Sequence, residues 1–60
     1  MTDFERMVTK LRESPYDEGR HFKVWEWKNG IKEIGFRPSM LCDAWTCFEY
    51  DNNGNLIRIS

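Results

Sequence analysis

No stretch of this chain approaches the ~20 consecutive apolar residues that a membrane helix needs, and its apolar residues, 40% of the total, are scattered among charged ones. Only two cysteines, Cys42 and Cys47, and one histidine, His21, are present. They are too few for a closed four-ligand zinc site within one chain, and the sequence predicts no metal and no cofactor. Two thiols in a chain with no disulfide framework predict reduced cysteines rather than a bridge between Cys42 and Cys47. The start Met1-Thr2-Asp3 is charged almost at once, so no secretory leader and a cytoplasmic location are expected. The four glycines, Gly19, Gly30, Gly35 and Gly54, stand apart from one another, which excludes a glycine-rich phosphate cradle. No motif sets a serine, cysteine or carboxylate beside His21 as a nucleophile or proton-transfer partner, so the chain reads as non-enzymatic. Neither sign of charge dominates, with nine lysines and arginines against ten acidic residues. A polybasic nucleic-acid binder and an acidic DNA mimic are both disfavoured by that balance.

Aromatic rings are what the chain has in plenty: four phenylalanines, three tryptophans and two tyrosines in sixty residues. A chain this short forms a single domain over residues 1–60 and buries only about 60% of its unfolded surface. Its core is therefore thin, and rings that each bury roughly 150–250 Å² supply much of it.

The centre of the chain is the stretch from His21 to Arg37, in which apolar and polar residues alternate on both sides of Asn29-Gly30, the strongest short-range signal for a hairpin. A two-residue turn there would set Glu26 opposite Glu33, which like-charge repulsion disfavours. A three-residue loop, Lys28-Asn29-Gly30 with Gly30 left-handed, shifts the pairing by one residue. Glu26 then faces Lys32, Val24 faces Ile34 and Phe22 faces Phe36, giving one apolar side. The other side carries His21, Lys23, Trp25, Trp27, Ile31 and Glu33.

Before this hairpin, Thr2-Asp3-Phe4-Glu5 has the pattern of a capping box. Phe4, Met7, Val8 and Leu11 follow at helical spacing on one face, and Ser14-Pro15 ends the helix near Glu13. Tyr16 in the following linker is expected to lie on the edge of the core. After the hairpin, Pro38 breaks the alternation, and Met40 and Leu41 are expected to plug an open side of the core. Residues 44–50 and 55–59 form a second hairpin around Asp51-Asn52-Asn53-Gly54. With a four-residue loop, Glu49 faces Leu56 and Phe48 faces Ile57, which places Tyr50, Phe48, Ile57 and Ile59 on the apolar side and Trp45, Cys47 and Leu56 on the other.

The expected architecture is α+β, an N-terminal helix packed on one face of a four-stranded antiparallel sheet made of two β-hairpins. One short helix can cover only one face. Trp25, Trp27, Ile31 and Trp45, flanked by Lys23 and Lys32, are thereby left as a candidate protein-binding surface, since exposed indoles are enriched at interface hot spots. The competing account has the tryptophans covering a small core from its rim, or facing the helix through the alternative hairpin register. The function expected is a non-enzymatic protein-binding module. Its occupant would be a larger protein or a second copy of the chain as a homodimer, and a small inhibitor of a host enzyme or defence protein, of the kind viruses of bacteria make, is the analogy. Nucleic-acid binding is the alternative from another class, with sheet aromatics stacking on bases and Arg20, Lys23, Lys28, Lys32 and Arg37 meeting phosphates.

Overall fold

A computed structural model of the chain describes residues 1–39, 41 and 43–60. Helix α1 runs over Asp3–Glu13, and Thr2 caps it with the expected box: the Thr2 hydroxyl accepts from the Glu5 amide while the Glu5 carboxylate accepts from the Thr2 amide. Ser14 has extended backbone geometry, as a residue before proline prefers, and its amide and hydroxyl both donate to the Leu11 carbonyl. Val8 and Leu11 are buried, and Phe4 and Met7 pack beside them.

Strands β1 (Phe22–Glu26), β2 (Lys32–Phe36), β3 (Thr46–Tyr50) and β4 (Leu56–Ile59) form one antiparallel sheet in sequence order. The first hairpin has the register that charge selects. Phe22 pairs with Phe36, Val24 with Ile34 and Glu26 with Lys32, and the Lys32 ammonium lies 3.5 Å from the Glu26 carboxylate. The Gly30 amide donates to the Trp27 carbonyl, the Trp27 amide donates to the Ile31 carbonyl, and Gly30 has φ +89°. These bonds close a three-residue loop with a left-handed glycine in third position.

The second hairpin departs from expectation by two separate steps. Its loop also holds three residues, Asn52-Asn53-Gly54, because the Asp51 amide bonds to the Asn55 carbonyl and Gly54 takes φ +84°. The Asp51 carboxylate accepts from the amides of Asn53 and Asn55, at 2.9 Å each, and so favours the shorter closure. That loop pairs Tyr50 with Leu56, and a bulge beyond Leu56 shifts the pairing once more, so that Glu49 pairs with Arg58 and Phe48 with Ile59. Leu56 therefore moves to the helix side, where it lines a small depression with Asp3, Met7 and Tyr50. Ile57, expected opposite Phe48, is the extra residue and is half exposed.

The core lies between α1 and one face of the sheet: Val8, Leu11, Phe22, Ile34 and Tyr50, surrounded by Phe4, Met7, Val24, Phe36 and Phe48. Phe4 meets Tyr50 edge to face at 5.4 Å, a favoured geometry for two rings. The helix is fastened at its start to the second turn, where the Phe4 amide donates to the Gly54 carbonyl and the Leu56 amide donates to the Asp3 carboxylate. At the opposite end Tyr16 rests edge to face on Phe36 at 5.0 Å and near His21 at 5.4 Å, the place at the core edge that its lone ring implied. Leu41 does not plug the core, being 94% exposed. The expectations for Met40 and for a pairing of Cys42 lie outside the described residues.

Candidate binding face

Alternation along a strand sends every second side chain to the face away from α1, and the register defines which residues meet there. One cross-strand row holds Trp25, Glu33, Glu49 and Arg58; the next holds Lys23, Gly35 and Cys47. Nearer the first turn stand Trp27 and Ile31, joined by a backbone bond. Among the described residues no helix lies on this side, since the one helix packs on the other.

Gly35 shapes the middle of the face. It is buried although it lies on the uncovered side, and a Cβ placed on it would sit 3.5 Å from both the Trp25 and the Trp45 rings. Two indoles, Trp25 on β1 and Trp45 just before β3, thus lie against the one position that has no side chain, filling it as an aromatic neighbour fills a strand glycine. Trp45 is further held by cations: the Arg37 guanidinium is 4.5 Å and the Lys23 ammonium 5.2 Å from its ring. Such contacts at a partly exposed site stabilise by about 0.5–1 kcal/mol. Arg37 also donates from Nε to the Arg20 carbonyl at 2.7 Å.

Anchoring does not bury the rings. Trp25 remains 43% exposed and Trp27 52% exposed, while Trp45 and Ile31 are half-buried and Lys23 is open. The structure brings Trp25, Trp27, Ile31, Trp45 and Lys23 to the same side. Lys32 belongs elsewhere: it pairs with Tyr50 and Glu26, and its ammonium stands 5.9 Å from the Phe4 ring, on the helix side. Its place follows from the register, because Glu26 opposite Lys32 is the pair that closes the apolar strip.

Sequence reasoning did not assign Arg37 to the protein-binding face or notice that Glu33 and Glu49 are directly opposed on the two central strands. Strand partners between hairpins are not set by a turn, so the second fact had no local signal. Gly35 did carry one, as an isolated glycine inside an alternating run. Cys47 is a half-buried free thiol on this face. His21 has a structural partner, its Nδ1 accepting from the Asp17 amide at 3.2 Å.

The groups with displaced titration lie away from the face. Backbone and hydroxyl donation from Thr2 holds the Glu5 carboxyl below its ordinary range, and the Asn55 amide, followed by that of Asn53, does the same for Asp51. Burial, with a smaller contribution from the charge of Asp3, raises the Tyr50 phenol. Among the described residues no three metal-ligating side chains converge, and no helix is long and apolar enough to cross a membrane.

The fold and this face define a small α+β domain with one covered and one aromatic sheet surface. No protein-family model, curated protein or solved structure matches the chain.

Proposed function

We propose that the chain is a non-enzymatic binding module that docks its uncovered sheet face on a larger protein and inhibits it by occupying a working surface. The observation that supports this reading is the exposure of Trp25 and Trp27 on a side that no element covers among the described residues. Rigid indoles lose little entropy on contact and are the residue type most enriched among binding hot spots. Their backing is firm, since Trp25 rests against Gly35 and Trp27 is tied to Ile31 by the hairpin. Trp25, Trp27, Ile31 and Trp45 form the apolar centre and Lys23 the rim.

Glu33 and Glu49 favour protein over nucleic acid as the partner. They stand opposite each other in the middle of the face, where a base-stacking platform would carry phosphates past them, and like charges repel. Of the basic residues that the nucleic-acid alternative needs, Arg37 is engaged with the Trp45 ring and the Arg20 carbonyl, and Lys32 lies on the helix side.

Capture by the immobilised chain is the test, with the wild type beside a Trp25→Ala, Trp27→Ala double variant whose fold is verified by circular dichroism. A protein that is retained by the wild type through a salt wash, is lost with the variant and has an activity that added chain suppresses supports the proposal. An identical set of captured proteins with both chains overturns it. Material that is nucleic acid, released as salt rises from about 50 to 200 mM by counterion competition, selects the alternative. Sedimentation of the free chain reads the homodimer directly, since a second copy on this face would disappear with the same two substitutions.

A further inference from the structure

On the helix side, at the end of the core away from the two turns, the structure holds an open pocket of about 330 Å³ lined by Met7, Lys10, Leu11, Ser14, Tyr16, Phe36 and Phe48. That volume is at the lower end of the ~300–1,000 Å³ typical of small-ligand sites. Its wall is almost wholly apolar. Three of its members have polar tips, Ser14, Tyr16 and Lys10. Ser14 spends its hydroxyl donating to the Leu11 carbonyl. Lys10 is the one that carries a charge. It contributes its methylene stem to the wall, because hardly any polar surface faces the pocket, and a lysine so placed carries its ammonium out to the mouth. Among the described residues that ammonium makes no ion pair.

We infer that this pocket binds a small amphiphile with an anionic end, such as a medium-chain carboxylate. Its hydrocarbon part would lie between Leu11, Phe36 and Phe48, and its carboxylate would meet Lys10. The chemistry follows from the lining: an apolar concavity rewards removal of hydrocarbon from water, and one unspent cation at the rim selects the sign of the head. The rings that form the back are held in place independently, Phe36 by Tyr16 and by its pairing with Phe22, and Phe48 by its pairing with Ile34. The site is on the opposite side of the sheet from Trp25 and Trp27 and does not depend on the role proposed for them.

Titration with octanoate, octanol and octylamine at pH 7, followed by two-dimensional NMR, tests the inference. Saturable shifts are expected at the Met7 methyl and at the Phe36 and Phe48 rings, with octanoate binding most tightly and octylamine least. Lys10→Met keeps the stem and removes the charge; it should weaken octanoate about two- to fivefold, the scale of an exposed ion pair, and leave octanol unchanged. Absence of saturable shifts, or shifts confined to Trp25 and Trp27, overturns the site. Equal binding of octanoate and octanol to the wild type, or an octanoate affinity indifferent to Lys10→Met, overturns the anionic head.

Discussion

Gly54→Ala should be far more damaging than an alanine in a surface turn normally is, because two costs fall on one atom. Gly54 has φ +84°, where a residue with a Cβ loses roughly 1–2 kcal/mol. The added Cβ would also come within 2.7 Å of both the Cβ and the hydroxyl oxygen of Thr2. Thr2 is the cap of α1, so relief by movement detaches the cap, worth about 1 kcal/mol, or lengthens the bond from the Phe4 amide to the Gly54 carbonyl, worth about the same. The total is about 2–3 kcal/mol, against about 3–9 kcal/mol for a whole domain of this size. Urea unfolding followed by tryptophan fluorescence measures it, as a fall in midpoint at unchanged slope. Gly19→Ala is the matched control: φ is +96° but nothing lies within 4 Å of the new Cβ, so only the backbone strain should appear. In a Thr2→Gly background, which removes the obstruction and costs the helix only a few tenths of a kcal/mol, the Gly54→Ala penalty should drop to the Gly19→Ala level. Equal penalties at Gly54 and Gly19 in the unaltered background would refute the claim that the helix cap and the second turn are packed against each other.

Gly35→Ala should be neutral or stabilise by about 0.5 kcal/mol, since alanine costs less entropy in a strand than glycine and its Cβ would meet the Trp25 and Trp45 rings at an ordinary 3.5 Å; a blue shift in tryptophan emission checks the contact. Ile34→Ala, at a position with no exposed surface, should lose about 2–5 kcal/mol by thermal or urea unfolding. Glu5 and Asp51 both have carboxyls held below their ordinary values of 4.5 and 3.8. Their contribution to stability is full above those values and is lost as pH falls through the lower folded-state ones. Acid titration of the unfolding midpoint should show that loss, and Asp51→Asn should flatten the part due to Asp51. Tyr50 should ionise above the ordinary tyrosine value of 10.0 in an absorbance titration, because burial disfavours its phenolate.

Much of this architecture was legible residue by residue. The capping box, the helical spacing from Phe4 to Leu11 and the Ser14-Pro15 stop are local codes and led to the observed α1. In the first hairpin the repulsion of Glu26 and Glu33 across a tight turn was enough to select the right register. The second hairpin offered no such conflict, and its run of Asp and Asn residues is compatible with several loops. The choice was made by the Asp51 carboxylate and by the approach of Gly54 to Thr2, a contact between residues at opposite ends of the sequence. The shorter loop reversed the face of Leu56 by pairing it with Tyr50, and the bulge at Ile57 then shifted Arg58 and Ile59 once more, for which no local pattern gave warning.

Sequence alone therefore determined which segments form a helix and strands, and which residues alternate together on β1 and β2, because those depend on neighbours a few positions away. Tertiary structure decided where the faces of different hairpins join: it set Glu33 opposite Glu49, laid Trp25 and Trp45 across Gly35, and put Lys32 against the helix rather than beside the tryptophans. Pairing between hairpins and the docking of a helix are settled by packing volume and backbone bonds between distant residues. Those forces act only once the chain has folded back on itself.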